Sequence, residues 1–317
     1  TGALDAARRY AQIAPDSPHA LHMPSHIFTR LGLWKESIAS NRQVIASARK
    51  HGITGEELHG RDYLVFAHLQ RGEDRLARRV IDSRPPLSAL SQGAMLHFAG
   101  LYASATMPAR YAVERRDWAA AAALPDPAGF PGGRYAWAEA SIHFARALGA
   151  ARTGRLDQAR RDVATLERLR QTLVEHREDY WATQVDIQHR AAGAWLAFAA
   201  GRREEGLERM RDAAALEDST DKHPVTPGQI VPAHDLVGQM LLELDRPDEA
   251  LAEFQRVLEA EPNRYGALAG AARAAELAGR GDRARALYRT LVTVAPDGER
   301  PELQHARDLL AGAPASG

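Results

Sequence analysis

Residues 248–262, DEALAEFQRVLEAEP, and residues 282–296, DRARALYRTLVTVAP, carry the pattern that decides the fold. Apolar residues recur in both stretches at intervals of three and four, which is the period of an amphipathic helix. Alanine, leucine, arginine and glutamate dominate them, and these are good helix formers. The stretches repeat each other at a separation of 34 residues, with the matched pairs Ala250 and Ala284, Phe254 and Tyr288, and Pro262 and Pro296. Such a period indicates a helical repeat protein.

The composition excludes several classes of protein. The 317 residues include 41 basic and 41 acidic side chains, and a formal net charge of zero offers no general attraction for nucleic acid or an anionic membrane. The absence of cysteine excludes disulfides, thiolate metal ligands and a cysteine nucleophile. No apolar run approaches the roughly 20 residues of a membrane span. We expect a soluble protein, cytoplasmic or periplasmic, that binds neither nucleic acid nor membrane.

The matched pairs resemble the tetratricopeptide repeat, a helical hairpin of about 34 residues with small residues in both helices and an aromatic residue in the second. In these two copies the turn between the helices falls at Asp245 and Gly279. Equivalent turns recur upstream, at or near Gly32, Gly72, Arg116, Gly154 and Gly201. The resemblance implies an all-α, right-handed α-solenoid of seven helical hairpins, whose first helices line a concave groove.

The resemblance also sets an expected domain organisation, a single solenoid over residues 1–317. Its expected segments are the second helix of a truncated repeat in 1–15, divergent repeats in 18–217, an inserted loop in 218–232 and two well-matched repeats in 231–312. A half repeat at the start implies a longer parent chain with a missing N-terminal portion. A second insertion, rich in proline and glycine, covers 124–135. Both insertions have two interpretations, a surface connection or a flap over the groove.

Residues 19–34, HALHMPSHIFTRLGLW, place three histidines within one helix of the first complete hairpin, and the stretch resembles bacterial members of the family with a histidine-rich repeat. The groove positions of this repeat and the next are held by His19, His22, His26, His59 and Asp62. Imidazoles at i and i+4 on a helix can chelate one ion, so His22 and His26 form the favoured pair. His59 or Asp62 completes the set, and imidazole with carboxylate indicates zinc, copper, nickel or iron.

An internal comparison separates the scaffold from this chemistry. Residues 22–34, HMPSHIFTRLGLW, align without gaps to residues 106–118, TMPARYAVERRDW. The methionine, the proline and the final tryptophan match, which favours an architectural role for all three. At the positions of the two histidines the second copy has Thr106 and Arg110. This is the pattern of a site placed on a repeated scaffold.

Two classes of function remain open. A scaffold whose groove binds a peptide, a partner protein or a small ligand is favoured by the resemblance, and further groove residues are then Arg30, Arg110, Glu114, His143, Gln188 and Asp235. Arg110 and Glu114 contact a charged ligand or pair with each other. The alternative is a metal-binding protein or metal-dependent enzyme that uses the cluster of His22, His26, His59 and Asp62. No phosphate loop, serine elbow or nucleotide fingerprint occurs, so the sequence predicts no reaction.

Overall fold

The computed structural model describes residues 2–10, 13–90, 98–126 and 129–312. Within these ranges the chain forms sixteen α-helices and no β-strand. The helices are α1 (Gly2–Tyr10), α2 (Pro18–Arg30), α3 (Trp34–His51), α4 (Thr54–Gln70), α5 (Asp74–Asp82), α6 (Phe98–Glu114), α7 (Trp118–Ala122), α8 (Ala136–Arg152), α9 (Leu156–Glu175), α10 (Asp179–Ala199), α11 (Arg203–Asp218), α12 (Ala233–Glu243), α13 (Pro247–Ala260), α14 (Tyr265–Leu277), α15 (Gly281–Val294) and α16 (Pro301–Ala311). The predicted all-α fold is confirmed.

Consecutive helices from α2 to α15 pair into hairpins, seven within the described ranges. Each hairpin turn contains one residue with a left-handed backbone, with φ between 54° and 87°. These residues are Gly32, Gly72, Arg116, Gly154, Gly201, Asp245 and Gly279. They are the turn residues that the repeat pattern predicts. Glycine favours this conformation because it has no Cβ, and this is why the turns can be located from the sequence.

Small residues let the hairpins of the C-terminal half pack closely. The Phe254 ring of α13 lies between α12 and α14, and a Cβ added to Gly238 or Gly270 would come within 2.7 Å or 2.5 Å of its ring atoms. In α13, Pro247 occupies the first turn together with Asp248 and Glu249, an arrangement that suits the helix N-terminus. The aromatic and small residues of the repeat pattern are therefore its packing contacts.

Pro24 and Pro108 both lie inside helices, at matching places in α2 and α6. Each helix continues through its proline. In both hairpins the proline precedes the left-handed turn residue by the same number of positions, although α3 has 18 residues and α7 has 5. No helix of the described chain is both long enough and apolar enough to span a membrane.

The hairpins do not leave an open groove, which corrects the expectation drawn from the sequence. The loops that flank the last hairpin, α14–α15, contact the turns of the first three hairpins. The Trp34 Nε1 group donates to the Asn263 carbonyl over 2.9 Å, and the Glu299 amide donates to the Gly72 carbonyl over 3.1 Å. Arg264 forms an ion pair with Glu114 at the end of α6. These contacts join hairpins that are far apart in sequence.

The segment 219–232 between α11 and α12, here called the groove strap, crosses the groove. Its backbone carbonyls accept hydrogen bonds from long side chains of the first helices. The Tyr63 hydroxyl donates to the Val225 carbonyl over 3.0 Å, and Arg110 donates to the Gly228 carbonyl over 3.0 Å. The flap interpretation therefore fits this insertion. Residues 127–128 of the other insertion lie outside the described residues.

Candidate metal centre

Three histidine side chains from two adjacent helices form one cluster. Helix α2 carries His22 and His26 one turn apart, and α4 carries His59. The His22 ring centroid lies 4.7 Å from that of His26 and 4.1 Å from that of His59. One potential ligand atom of each residue lies within 4.8 Å of the other two. The pair favoured by helical spacing is thus joined by His59, one of its two predicted partners.

Hydrogen bonds fix the tautomer of His22. Asn41 in α3 donates its amide Nδ2 to the Ser37 carbonyl over 2.8 Å, so its Oδ1 is the atom that faces His22. The His22 Nδ1 atom lies 2.9 Å from Asn41 Oδ1. Because an amide oxygen can only accept a hydrogen bond, Nδ1 must carry the proton. The lone pair of His22 is therefore on Nε2. That atom is buried and has no hydrogen-bond partner.

A second relay fixes the tautomer of His26. The Tyr63 hydroxyl lies 3.0 Å from the Val225 carbonyl, which can only accept, so the hydroxyl proton points to the groove strap. The His26 Nδ1 atom, 2.9 Å from the same hydroxyl, then donates to it. The lone pair of His26 is left on Nε2. Outer contacts of this kind orient imidazoles in metal sites.

Burial keeps both rings neutral. It lowers the pKa of His22 to about 4, although the hydrogen bond to Asn41 opposes this shift. It also lowers the pKa of His26 to about 3, with a further contribution from the charge of His22. Neutral imidazole is the form that binds a metal ion. His22 and His26 are therefore in their ligand form at neutral pH.

Asp62 and His19, the two other predicted ligands, do not join the cluster. Asp62 accepts hydrogen bonds from Arg110 and Thr106, at 2.5 Å and 3.3 Å, and is committed to a buried ion pair. Burial raises the pKa of its carboxyl despite Arg110. His19 is exposed, and its Nδ1 lies 4.0 Å from Glu56. The rise along α2 separates His19 from His26, as the helical geometry predicts.

Arg110 and Glu114 do not pair with each other, and each has other partners within the protein. Arg110 is fully buried against Asp62 and the groove strap. Glu114 accepts from Gln70 over 3.1 Å and from Arg264 over 2.5 Å. Both side chains hold hairpins together rather than facing an open groove.

Of the remaining predicted groove residues, only Arg30 lies near the cluster, one helical turn after His26 in α2, and its charge helps to lower the pKa of His26. His143 is 2.7 Å from Asp162, and Asp235 accepts from Gln239 over 2.6 Å, so each has an internal partner. Arg30 is exposed and lines a surface pocket beside the groove strap. Gln188 lines a separate cavity between α8, α10 and the strap.

Two orienting residues were not identified from the sequence, although each has a signal there. Asn41 interrupts the buried face of α3 between the apolar residues Ile38 and Ile45, where a polar side chain needs a partner. Tyr63 follows His59 by one helical turn, so both lie on the same face of α4. The insertion that forms the groove strap was identified from the sequence, but its contact with Tyr63 was not, because Val225 and Tyr63 are 162 positions apart.

A family model described as "Tetratricopeptide repeat" matches residues 241–311, which run from the end of α12 to the end of α16. Residues 241–311 are therefore a tetratricopeptide-repeat segment. No curated protein matches the chain. Tetratricopeptide repeats generally bind protein or peptide partners.

Two solved structures with tetratricopeptide repeats match the chain at low identity and low TM-score. A tetratricopeptide repeat protein from Parabacteroides merdae shares 13% identity over 93% of this chain and 97% of that chain, with a TM-score of 0.41. The P58(IPK) TPR domain shares 17% identity over 99% of this chain and 94% of that chain, with a TM-score of 0.35.

Proposed function

We propose that this tetratricopeptide-repeat protein is a scaffold that holds one transition-metal ion with His22, His26 and His59. The observation that carries the proposal is the buried Nε2 atom of His22, which has no hydrogen-bond partner and belongs to a group of three imidazoles with ligand atoms within 4.8 Å of one another. A buried polar atom without a partner costs free energy. A metal ion at the centre of the cluster supplies the missing partner.

The size of the cluster fits one ion after a small contraction. A tetrahedral zinc ion with nitrogen ligands at about 2.1 Å holds those nitrogens about 3.4 Å apart. The longest separation of 4.8 Å would therefore close by a little over 1 Å. Side-chain torsions of His26, which is only partly buried, can supply such a movement.

The ligand set narrows the identity of the ion. Three imidazoles with no carboxylate or thiolate favour zinc, copper, nickel or iron over calcium or magnesium. Three protein ligands leave a tetrahedral ion with one open position, which water or another ligand takes. This arrangement is compatible with a structural, transport or catalytic role, and no reaction is assigned to it.

Metal analysis of the purified full chain tests the proposal. We expect about one zinc or cobalt ion per chain after reconstitution and desalting, and a loss of roughly tenfold or more in affinity when His22→Gln is combined with His26→Gln. The matched control, His19→Gln with His51→Gln, removes two exposed histidines of the same region and leaves the affinity unchanged. The visible absorption of the cobalt-loaded protein reports tetrahedral nitrogen ligation directly. A wild-type protein that retains no more metal than the folded double variant contradicts the proposal.

A second function, binding of an extended peptide in the groove, is favoured by the contacts of the groove strap. The side chains of Tyr63, Tyr102 and Arg110 bind strap carbonyls rather than strap side chains. Carbonyls occur in every peptide, so the same donors can hold a segment of another protein. Such a partner would have to displace the strap.

A strap-replacement experiment tests this second function. We expect a synthetic peptide with the sequence of residues 221–232 to bind a variant in which residues 222–229 are replaced by a glycine-serine linker of equal length. Binding to the wild-type chain should be weaker by roughly tenfold or more, because the tethered strap occupies the groove at a high effective concentration. Fluorescence polarisation of the labelled peptide measures both affinities, with a scrambled peptide as control. Equal affinities for the two proteins, or none for the variant, would count against peptide binding.

A further inference from the structure

A second cavity lies between α8, α10 and the groove strap, apart from the histidine cluster. Its volume is about 50 Å³, and its walls include Tyr102, Trp137, Trp181, Gln188, Glu217 and Gln229. A space of this size holds more than one water molecule but only a small organic group. Neither the metal centre nor the strap contacts account for the chemistry of these side chains.

Aromatic rings form one wall of the cavity. The Trp137 and Trp181 rings stack with centroids 4.9 Å apart. The Tyr102 ring lies 5.8 Å from the first and 5.9 Å from the second. The faces of such rings attract cations and small alkyl groups.

Two acceptor atoms of the cavity are left without a hydrogen-bond donor. Tyr102 and Ser141 already donate their hydroxyl protons, to the carbonyls of Gly228 and Trp137. By contrast, the side-chain oxygens of Gln188 and Gln229 are buried without a hydrogen-bond partner. Two buried acceptors without partners in one cavity favour a ligand that brings N–H or O–H groups.

Glu217 adds negative charge to the same cavity. Its Oε1 accepts from the Ala233 amide over 2.8 Å, and no basic side chain of the described chain lies within ion-pair distance of its carboxyl. Burial raises the pKa of Glu217 to about 7, against the opposing effects of the Ala233 amide and of the charges on His234 and Arg264. A carboxyl with a raised pKa is stabilised in its charged form when a cation joins it.

We infer that this cavity binds a small protonated amine. The ammonium group pairs with the Glu217 carboxylate and donates to the oxygens of Gln188 and Gln229, and its short alkyl chain lies against the Trp137 and Trp181 rings. The requirement for both charge and N–H donors separates this ligand from a quaternary ammonium ion and from a neutral alcohol. The site does not depend on the metal centre, since none of its side chains belongs to the histidine cluster.

Titration of the full chain with propylammonium chloride, followed by tryptophan fluorescence and calorimetry, tests the inference. We expect saturable binding of propylammonium, with affinity at least roughly tenfold higher than for tetramethylammonium or 1-propanol. The isosteric variant Glu217→Gln keeps an acceptor for the Ala233 amide and removes the charge, and it should weaken propylammonium binding by about tenfold or more. Glu208→Gln, an exposed change on the same helix, should leave binding unaltered.

The outcomes separate the amine site from simpler explanations. Equal binding of propylammonium and 1-propanol would show that only the apolar wall matters and would overturn the inference. An unchanged affinity in a folded Glu217→Gln protein, verified by circular dichroism, would overturn it as well. A complete absence of saturable binding by the wild-type chain has the same consequence. The double histidine variant, which lacks the metal ligands, should bind propylammonium as the wild type does.

Discussion

Replacing Gly32 by alanine is expected to lower the free energy of unfolding by roughly 3 kcal/mol or more. Gly32 has a φ of 64°, and the left-handed conformation alone costs a residue with a Cβ about 1–2 kcal/mol. In addition, a Cβ at this position would lie 2.1 Å from the backbone oxygen of Pro262. A backbone atom cannot rotate away as a side chain can, so the loop before α14 would have to separate from the first hairpin.

Gly154→Ala is the matched control for this prediction. Gly154 is also the turn residue of a hairpin and has a φ of 73°, but no atom lies within 4 Å of its added Cβ. Its substitution should therefore cost only the conformational strain of about 1–2 kcal/mol. Urea denaturation of both variants measures the difference. Equal destabilisation would mean that the first and last hairpins do not meet as described.

Removal of the Arg264 charge is expected to destabilise the protein by about 3–5 kcal/mol. The Arg264 side chain is 1% exposed and pairs with Glu114, which is 4% exposed, and also with Glu261. Arg264→Met would fill most of the same volume and leave the Glu114 carboxylate buried without its charge partner. The cost arises from that unpaired charge rather than from lost packing.

Two further variants isolate this cause. Combining Arg264→Met with Glu114→Gln removes both charges and should recover a large part of the stability, because a buried ion pair can be replaced by neutral groups at low cost. Arg246→Met breaks an exposed pair with Glu249 and should change stability by less than about 1 kcal/mol. If the single Arg264→Met change were as mild as Arg246→Met in thermal and urea unfolding, the buried charge pair would not join the hairpins.

The local structure of this protein could be predicted from its sequence. Helical periodicity placed the helices, and the recurrence of small, aromatic and turn residues defined the hairpins. The left-handed residues at positions such as Gly32 and Asp245 lie where the repeat pattern puts them. Each of these features depends on residues close together in the chain, so a linear pattern can encode it.

The candidate metal centre could be predicted only in part. His22 and His26 are one helical turn apart, and this spacing alone brings them together on one helix. His59 joins them because α2 and α4 are first helices of neighbouring repeats, a relation that the repeat period implies. The repeat register assigned Asp62 to the same surface, but it could not show that Arg110 takes this carboxylate into a buried ion pair.

Only the tertiary structure shows that the last hairpin contacts the first and that the groove strap lies across the groove. The contact of Gly32 with the Pro262 region and that of Tyr63 with Val225 join residues separated by more than 150 positions. Such contacts depend on the total rotation of the stack, which is the sum of the small rotations between successive hairpins. A local sequence pattern does not determine this total. The sequence by itself therefore determined the repeat and the histidine pair on α2, whereas the accumulated geometry of seven hairpins decided which side chains remain available for a ligand.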